Sequence, residues 1–130
     1  MRNRDEKRAG KEGISVQDYR AMKIMHQRID ERSRAMDRLI AEKIYKDPGL
    51  MENVRAHISH KLDVHLTGGC RTTALEWKQI LDEWPLERIL SFIQEDSPLA
   101  NRLRQSSPFV GILTDEERRI IYQQYDPRTA

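Results

Sequence analysis

Apolar residues recur at helical intervals along most of the chain. From Tyr19 they fall at Met22, Met25, Ile29, Met36, Leu39, Ile40 and Ile44, with charged residues between them, the spacing that gives a helix one buried face. Ser15, with Asp18 three residues on, supplies an N-cap, so a long helix is predicted from there to about Lys46. Met22, Ile29 and Met36 are seven apart, and Met25 and Leu39 hold the companion heptad position, with Arg32 interrupting. Such a stripe suits packing on the helix's own domain, its commoner use, or homo-oligomerisation through this first helix.

Asp47 and Pro48 end that helix and start a second, whose buried face is Leu50, Met51, Val54, Ile58 and Leu62. Gly68 and Gly69 are predicted to close it and to open a turn carrying Cys70 and Arg71, with a hinge over 66–72. Thr73 with Glu76 has the capping-box pattern, and Leu75, Trp77, Ile80, Leu81 and Trp84 follow at helical spacing. Beyond Pro85, the apolar face continues through Leu86, Ile89, Leu90 and Ile93, and Ser97–Pro98 repeats a cap-then-proline start. The stretch LRQSSPFVGIL, Leu103–Leu113, loses helical periodicity, and its Pro108 and Gly111 predict an irregular apolar loop. Thr114 with Glu117 then caps a last helix carrying Ile120, Ile121 and Tyr125.

No segment has the alternation of a strand, so the predicted fold is all-α. It is an irregular bundle of about six helices with a long N-terminal helix, residues 15–130 forming one domain. Met1–Gly13 has almost no apolar residue to bury, and residues 1–14 are predicted to be a disordered basic arm that takes its order from a partner.

Composition adds a bound and an asymmetry. With 130 residues, 38% hydrophobic and 34% charged, the chain can build one modest core. No run approaches the roughly 20 apolar residues of a membrane span, and the first residues lack a signal-like apolar core, so no membrane partner and a cytoplasmic location are expected. Cys70 is the only cysteine, which excludes an intramolecular disulfide. The net charge of +2 divides unevenly: residues 1–46 carry 13 Lys and Arg against 8 Asp and Glu, the remainder 10 against 13. A basic end joined to an acidic body points to an anionic partner for the first.

Candidate chemistry is sparse. His57 and His60 share a helical face near His65 and Cys70, but a zinc site needs a defined fourth ligand and the paired-cysteine spacing is missing. Cys70, Ser106 and Ser107 lack the signature of an activated nucleophile, and GGCRTT at Gly68–Thr73 lacks the Lys of a phosphate-binding loop. Asp115, Glu116 and Glu117 are accounted for by a helix N-terminus, where exposed N–H groups stabilise negative charge. The expectation is a protein that is not an enzyme and uses no cofactor or metal.

Two binding features remain. Arg2, Arg4, Lys7, Arg8 and Lys11 form a basic arm that Arg20 and Lys23 extend along the first helix, where phosphates of DNA could be met. Asp30, Glu31 and Asp37 dilute that charge, and no helix-turn-helix, zinc-finger or aromatic RNA-binding pattern accompanies it. At the other end, the loop around Pro108 and Phe109, preceded by Arg102 and Arg104, either locks the bundle or presents Phe109 to a partner.

ALEW at Ala74–Trp77, LRQSSPF at Leu103–Phe109 and EERR at Glu116–Arg119 together resemble small bacterial proteins from the antitoxin side of toxin–antitoxin modules. The resemblance covers roughly the C-terminal half. It implies a protein that blocks a cognate toxin by occlusion, with Trp77, Trp84 and Phe109 as apolar anchors and Arg102 and Arg104 pairing with acidic groups. The alternative is a DNA-binding transcriptional regulator that uses the basic arm and first helix.

Overall fold

Helix boundaries in this chain have local causes, and most lie where the sequence places them. The computed structural model describes residues 3–64 and 67–126. It contains seven α-helices: α1 Arg4–Glu12, α2 Val16–Lys46, α3 Met51–Asp63, α4 Gly68–Glu83, α5 Leu86–Ile93, α6 Pro98–Arg104 and α7 Asp115–Gln124. A short 3-10 turn, Pro48–Leu50, joins α2 to α3, and no strand occurs among the described residues. The all-α fold and long early helix follow the apolar spacing. Ser15 Oγ accepts from Asp18 N at 3.0 Å, Ser97 Oγ accepts from Ala100 N at 3.2 Å, and Thr114 and Glu117 satisfy each other's backbone N–H in a reciprocal box. None of the described helices is long and apolar enough to cross a membrane.

Two expectations fail. The predicted disordered arm is instead helical over Arg4–Glu12. Asn3 Oδ1 accepts from Glu6 N at 2.8 Å while Glu6 Oε2 accepts from Asn3 N at 3.2 Å. Gly13, at φ 72°, ends the helix, letting Ile14 N donate back to Ala9 O at 3.1 Å. Nine residues are too few for a stable isolated helix, and α1 is held by these caps and by packing on α2, where Ala9 is buried.

The second failure concerns the predicted hinge, of which residue 66 lies outside the described residues: Gly68 and Gly69 open α4 instead of closing the preceding helix and opening a turn. Gly68 has φ +62°, a conformation costly for other residues, so the glycine sets the angle at which α4 begins. Thr73 and Glu76 then lie inside α4, and Glu76 takes no part in a cap; it receives two bonds from Arg102, at 3.1 and 2.6 Å.

The core centres on Trp77. Its indole Nε1 donates to Leu103 O at 3.0 Å, and its ring meets Phe92 and Phe109 edge-on with centroids 6.0 and 5.7 Å away. Leu103 O also accepts from Ser106 N at 3.1 Å, so one carbonyl both ties α6 to α4 and turns the chain out of α6. The following segment is irregular, as its sequence predicts, and it folds inward: Pro108, Phe109, Ile112 and Leu113 are all buried. Around this cluster pack Ile40 and Ile44 of α2, Val54 and Ile58 of α3, and Ile89 of α5.

Phe109 is 1% exposed, and replacing it with alanine removes most of a ring from a filled site. Phe109→Ala is expected to lower unfolding free energy by about 3–5 kcal/mol in urea titration. A loss below about 1 kcal/mol would mean that this loop does not lock the bundle.

Candidate functional site

α2 has 31 residues, about 46 Å at 1.5 Å per residue, and only its second half is in the core. Its buried residues are Asp37, Ile40, Ala41 and Ile44, whereas residues 20–27 are exposed throughout. On a 3.6-residue period, Met22, Met25 and Ile29 continue the face that Met36 and Ile40 turn to the core. The predicted stripe is therefore split. Its lower part covers the protein's own core, while Met22 and Met25 are 37% and 47% exposed.

Alongside this half lies α1. Asp5 binds Lys23 Nζ at 3.2 Å and Arg20 Nε at 3.4 Å, and Lys23, aided by Arg20, holds the Asp5 carboxyl below its ordinary range against the opposing effect of lost water. Two of the expected phosphate contacts are thus engaged in joining α1 to α2. Arg4, Lys7, Arg8 and Lys11, on successive turns of α1, line one surface depression together with Glu12, and none of the four has an ion-pair partner among the described residues. Arg2 lies outside the described residues. Further along α2, Arg32 stacks over the Tyr122 ring at 4.1 Å and Arg28 over Tyr125 at 5.9 Å, which ties α2 to α7 and its C-terminal cap.

The five residues expected to meet a protein partner are not gathered on one free surface. Trp77, 2% exposed, and Phe109 are core residues, because a bundle this small buries its largest rings first. Arg104 is a structural tie: it donates to Asn101 Oδ1 at 2.6 Å and to Ile93 O and Glu95 O at 3.1 and 2.7 Å, which satisfies carbonyls at and just after the C-terminal end of α5. Trp84 is half-buried against Phe92, with the Arg88 guanidinium over its ring at 3.8 Å. Arg102 is exposed, yet it is committed to Glu76 and holds that carboxyl below its ordinary range.

A feature that periodicity does not disclose is Asp37, on the core side of α2. Its Oδ2 forms a buried ion pair with Arg104 Nε at 2.6 Å. Loss of water outweighs the nearby Arg104 charge and pushes Asp37 up from 3.8 to about 6. Elsewhere the balance is opposite: Lys43 Nζ donates to Glu117 Oε1 at 2.6 Å and to Ile112 O at 2.8 Å, and this contact, with the Thr114 N–H, keeps Glu117 low. His57 is half-buried and burial lowers its pKa; among the described residues no three His, Cys, Asp or Glu side chains are grouped to hold a metal.

The raised Asp37 has a definite sign. Its stabilising contribution is complete below about 3.8, where both folded and unfolded forms are protonated, and declines as pH rises through about 6. The low-lying carboxylates, Glu117 and Glu76, act oppositely and lose their contribution as pH falls, so a single protein's profile mixes the two. The difference in unfolding free energy between the natural protein and Asp37→Asn isolates one group. It should fall by on the order of 3 kcal/mol between pH 4 and 7. A difference independent of pH would show that Asp37 is not desolvated in solution.

No protein-family model, curated protein or solved structure matches this chain, and its function has to follow from the geometry of these surfaces and from the resemblance of its short motifs.

Proposed function

We propose that the chain works as a non-enzymatic protein-binding module, and that it presents the first half of α2, braced by α1, to its partner. The observation that carries this reading is the exposure of Met22 and Met25 on the face that lower down is core. A soluble partner with an apolar groove would bury both, with Ile29 continuing the contact to the edge of the body; helix-in-groove recognition uses anchors at this spacing. Methionine suits the task, since its unbranched side chain adapts to irregular surfaces.

The resemblance of the ALEW, LRQSSPF and EERR segments supports a narrower version, an antitoxin that occludes a cognate toxin. Under that version the contact shifts from Trp77, Phe109 and Arg104, which are committed to the interior, to α1 and α2.

A second reading, a DNA-binding regulator, is favoured by the outer face of α1, where Arg4, Lys7, Arg8 and Lys11 lie together without carboxylate partners among the described residues. Four phosphate contacts give affinity that falls with salt at a log–log slope of about −3.6.

One experiment separates them. The chain is co-expressed with the product of the neighbouring gene, and the complex is compared with that of Met22→Glu/Met25→Glu. Binding weakened more than about tenfold, with an unchanged melting temperature, supports the module reading. Binding to that product that ignores the double substitution contradicts it, and steep salt-dependent binding to duplex DNA that is lost in Lys7→Glu/Lys11→Glu supports the regulator. A dimer of the chain alone that the methionine substitutions dissolve would assign the stripe to self-association.

A further inference from the structure

Along α2, the face that carries the exposed methionines does not end where the body begins. Met22, Met25, Ile29, Ser33, Met36 and Ile40 succeed one another at intervals of three and four residues over five turns, about 27 Å, and so lie on one side of the helix. From Ile29 onward that side is the floor of two adjoining hollows. The first, of about 350 Å³, starts at Ile29 beside Asp96 and Asn101; the second, of about 190 Å³, reaches Met36 and Ile40 between Val110 and Tyr122. Ser33 and Arg104 line both, so the two form one trough in line with the uncovered half of α2. Val110 and Tyr122, 51% and 45% exposed, leave its far end open to solvent.

The backbone decides what shape of partner fits. Within α2 the main-chain N–H and C=O groups bond to one another, so the floor of the trough offers none to a visitor. An extended segment would bury its own N–H and C=O groups unpaired, whereas a helix arrives with its groups already satisfied. Side chains at intervals of three and four residues also form the ridges against which a second helix packs.

Charge decides the pattern that helix carries. Asp18 and Arg32 share the same side of α2, each seven residues from Met25, and so bracket the exposed apolar stretch with opposite signs. Asp18 is exposed, Arg32 lays its guanidinium over the Tyr122 ring, and neither has an ion-pair partner among the described residues. We infer that the partner contributes an amphipathic helix that lies lengthwise in this trough, apolar toward Met22, Met25 and Ile29, with a lysine or arginine against Asp18 and an aspartate or glutamate against Arg32. This rests on the reading that the first half of α2 meets a protein, and adds that protein's form and charge pattern.

Three stapled helical peptides of about 18 residues, long enough to reach from Asp18 to Arg32, test it. They share one leucine face and differ in the charged residue at each end of that face: lysine and glutamate, two lysines, or two glutamates. Titrated into the 15N-labelled full chain at about 50 mM salt, the lysine–glutamate peptide is expected to bind at least about fivefold more tightly than the other two, and to move the amide signals of Met22, Met25 and Val110. Asp18→Lys should transfer the preference to the two-glutamate peptide, and Arg32→Glu to the two-lysine peptide. Asp18 lies in the first turn of α2 and Arg32 stacks on α7, so either change weakens the fold somewhat; an exchanged order of preference is a readout that loss of structure does not imitate.

The same order of affinities in all three forms of the chain, or no binding of any peptide, overturns the inference. If the complex with the co-expressed protein still responds to Met22→Glu/Met25→Glu, that result removes the helix and leaves the docking surface standing. A complex indifferent to the methionine substitutions removes both.

Discussion

A helix longer than the core it serves sets the terms for this molecule. The body closes around the second half of α2, where Ile40, Ala41 and Ile44 are buried, and the helix extends some four turns beyond that cover. An uncovered helical stretch in water is marginal unless local interactions sustain it. Here the Ser15 cap, the Asp5 contacts to Arg20 and Lys23, the Arg28–Glu31 pair and the stacking of Arg32 on Tyr122 act together. Individually such surface contacts contribute little, but together they keep the apolar face of α2 in one register as it leaves the body. What emerges is an ordered stripe with methionines outward and a small helix at its side.

The opposite end is built for closure. The residues that carry the antitoxin resemblance are mostly interior: Ala74 and Trp77, Leu103 and Phe109 meet in one cluster, and Thr114 and Glu117 fix the start of α7 with Lys43 reaching over from α2. The Asp37–Arg104 contact sits at the junction of the two ends. It buries a carboxylate against a single guanidinium, an arrangement that weakens the fold near neutral pH and that packing alone would not require.

Much of the fold was legible because each boundary had its own chemical signal. Ser15, Ser97 and Thr114 supply cap hydroxyls; Pro48 and Pro98 sit in first turns; the apolar spacing of α2 to α5 picks out Ile40, Val54, Ile80 and Ile89 as buried. Low apolar content hides α1 from an argument based on periodicity, although Asn3 with Glu6 and the terminal Gly13 form a capped-helix pattern. The Gly68–Gly69 pair was misread because glycine serves at either end of a helix, and sequence spacing does not say which. The candidate site was less legible. Large aromatic side chains are anchors in an interface and centrepieces in a core, and only three-dimensional packing decides that Trp77 and Phe109 are the latter. Asp37 reads as one more charge on a charged helix; its burial depends on α6 and on Arg104, 67 positions away.

Under the proposed function, the first half of α2 meets a partner while the aromatic body serves to hold it. Amide hydrogen exchange along the chain, measured free and in complex with the protein that co-purifies with it, tests this most directly. New protection is expected over residues 16–30, with exchange in α4 to α6 unchanged. Protection confined to residues 74–113, with the first half of α2 exchanging as freely as before, would contradict it.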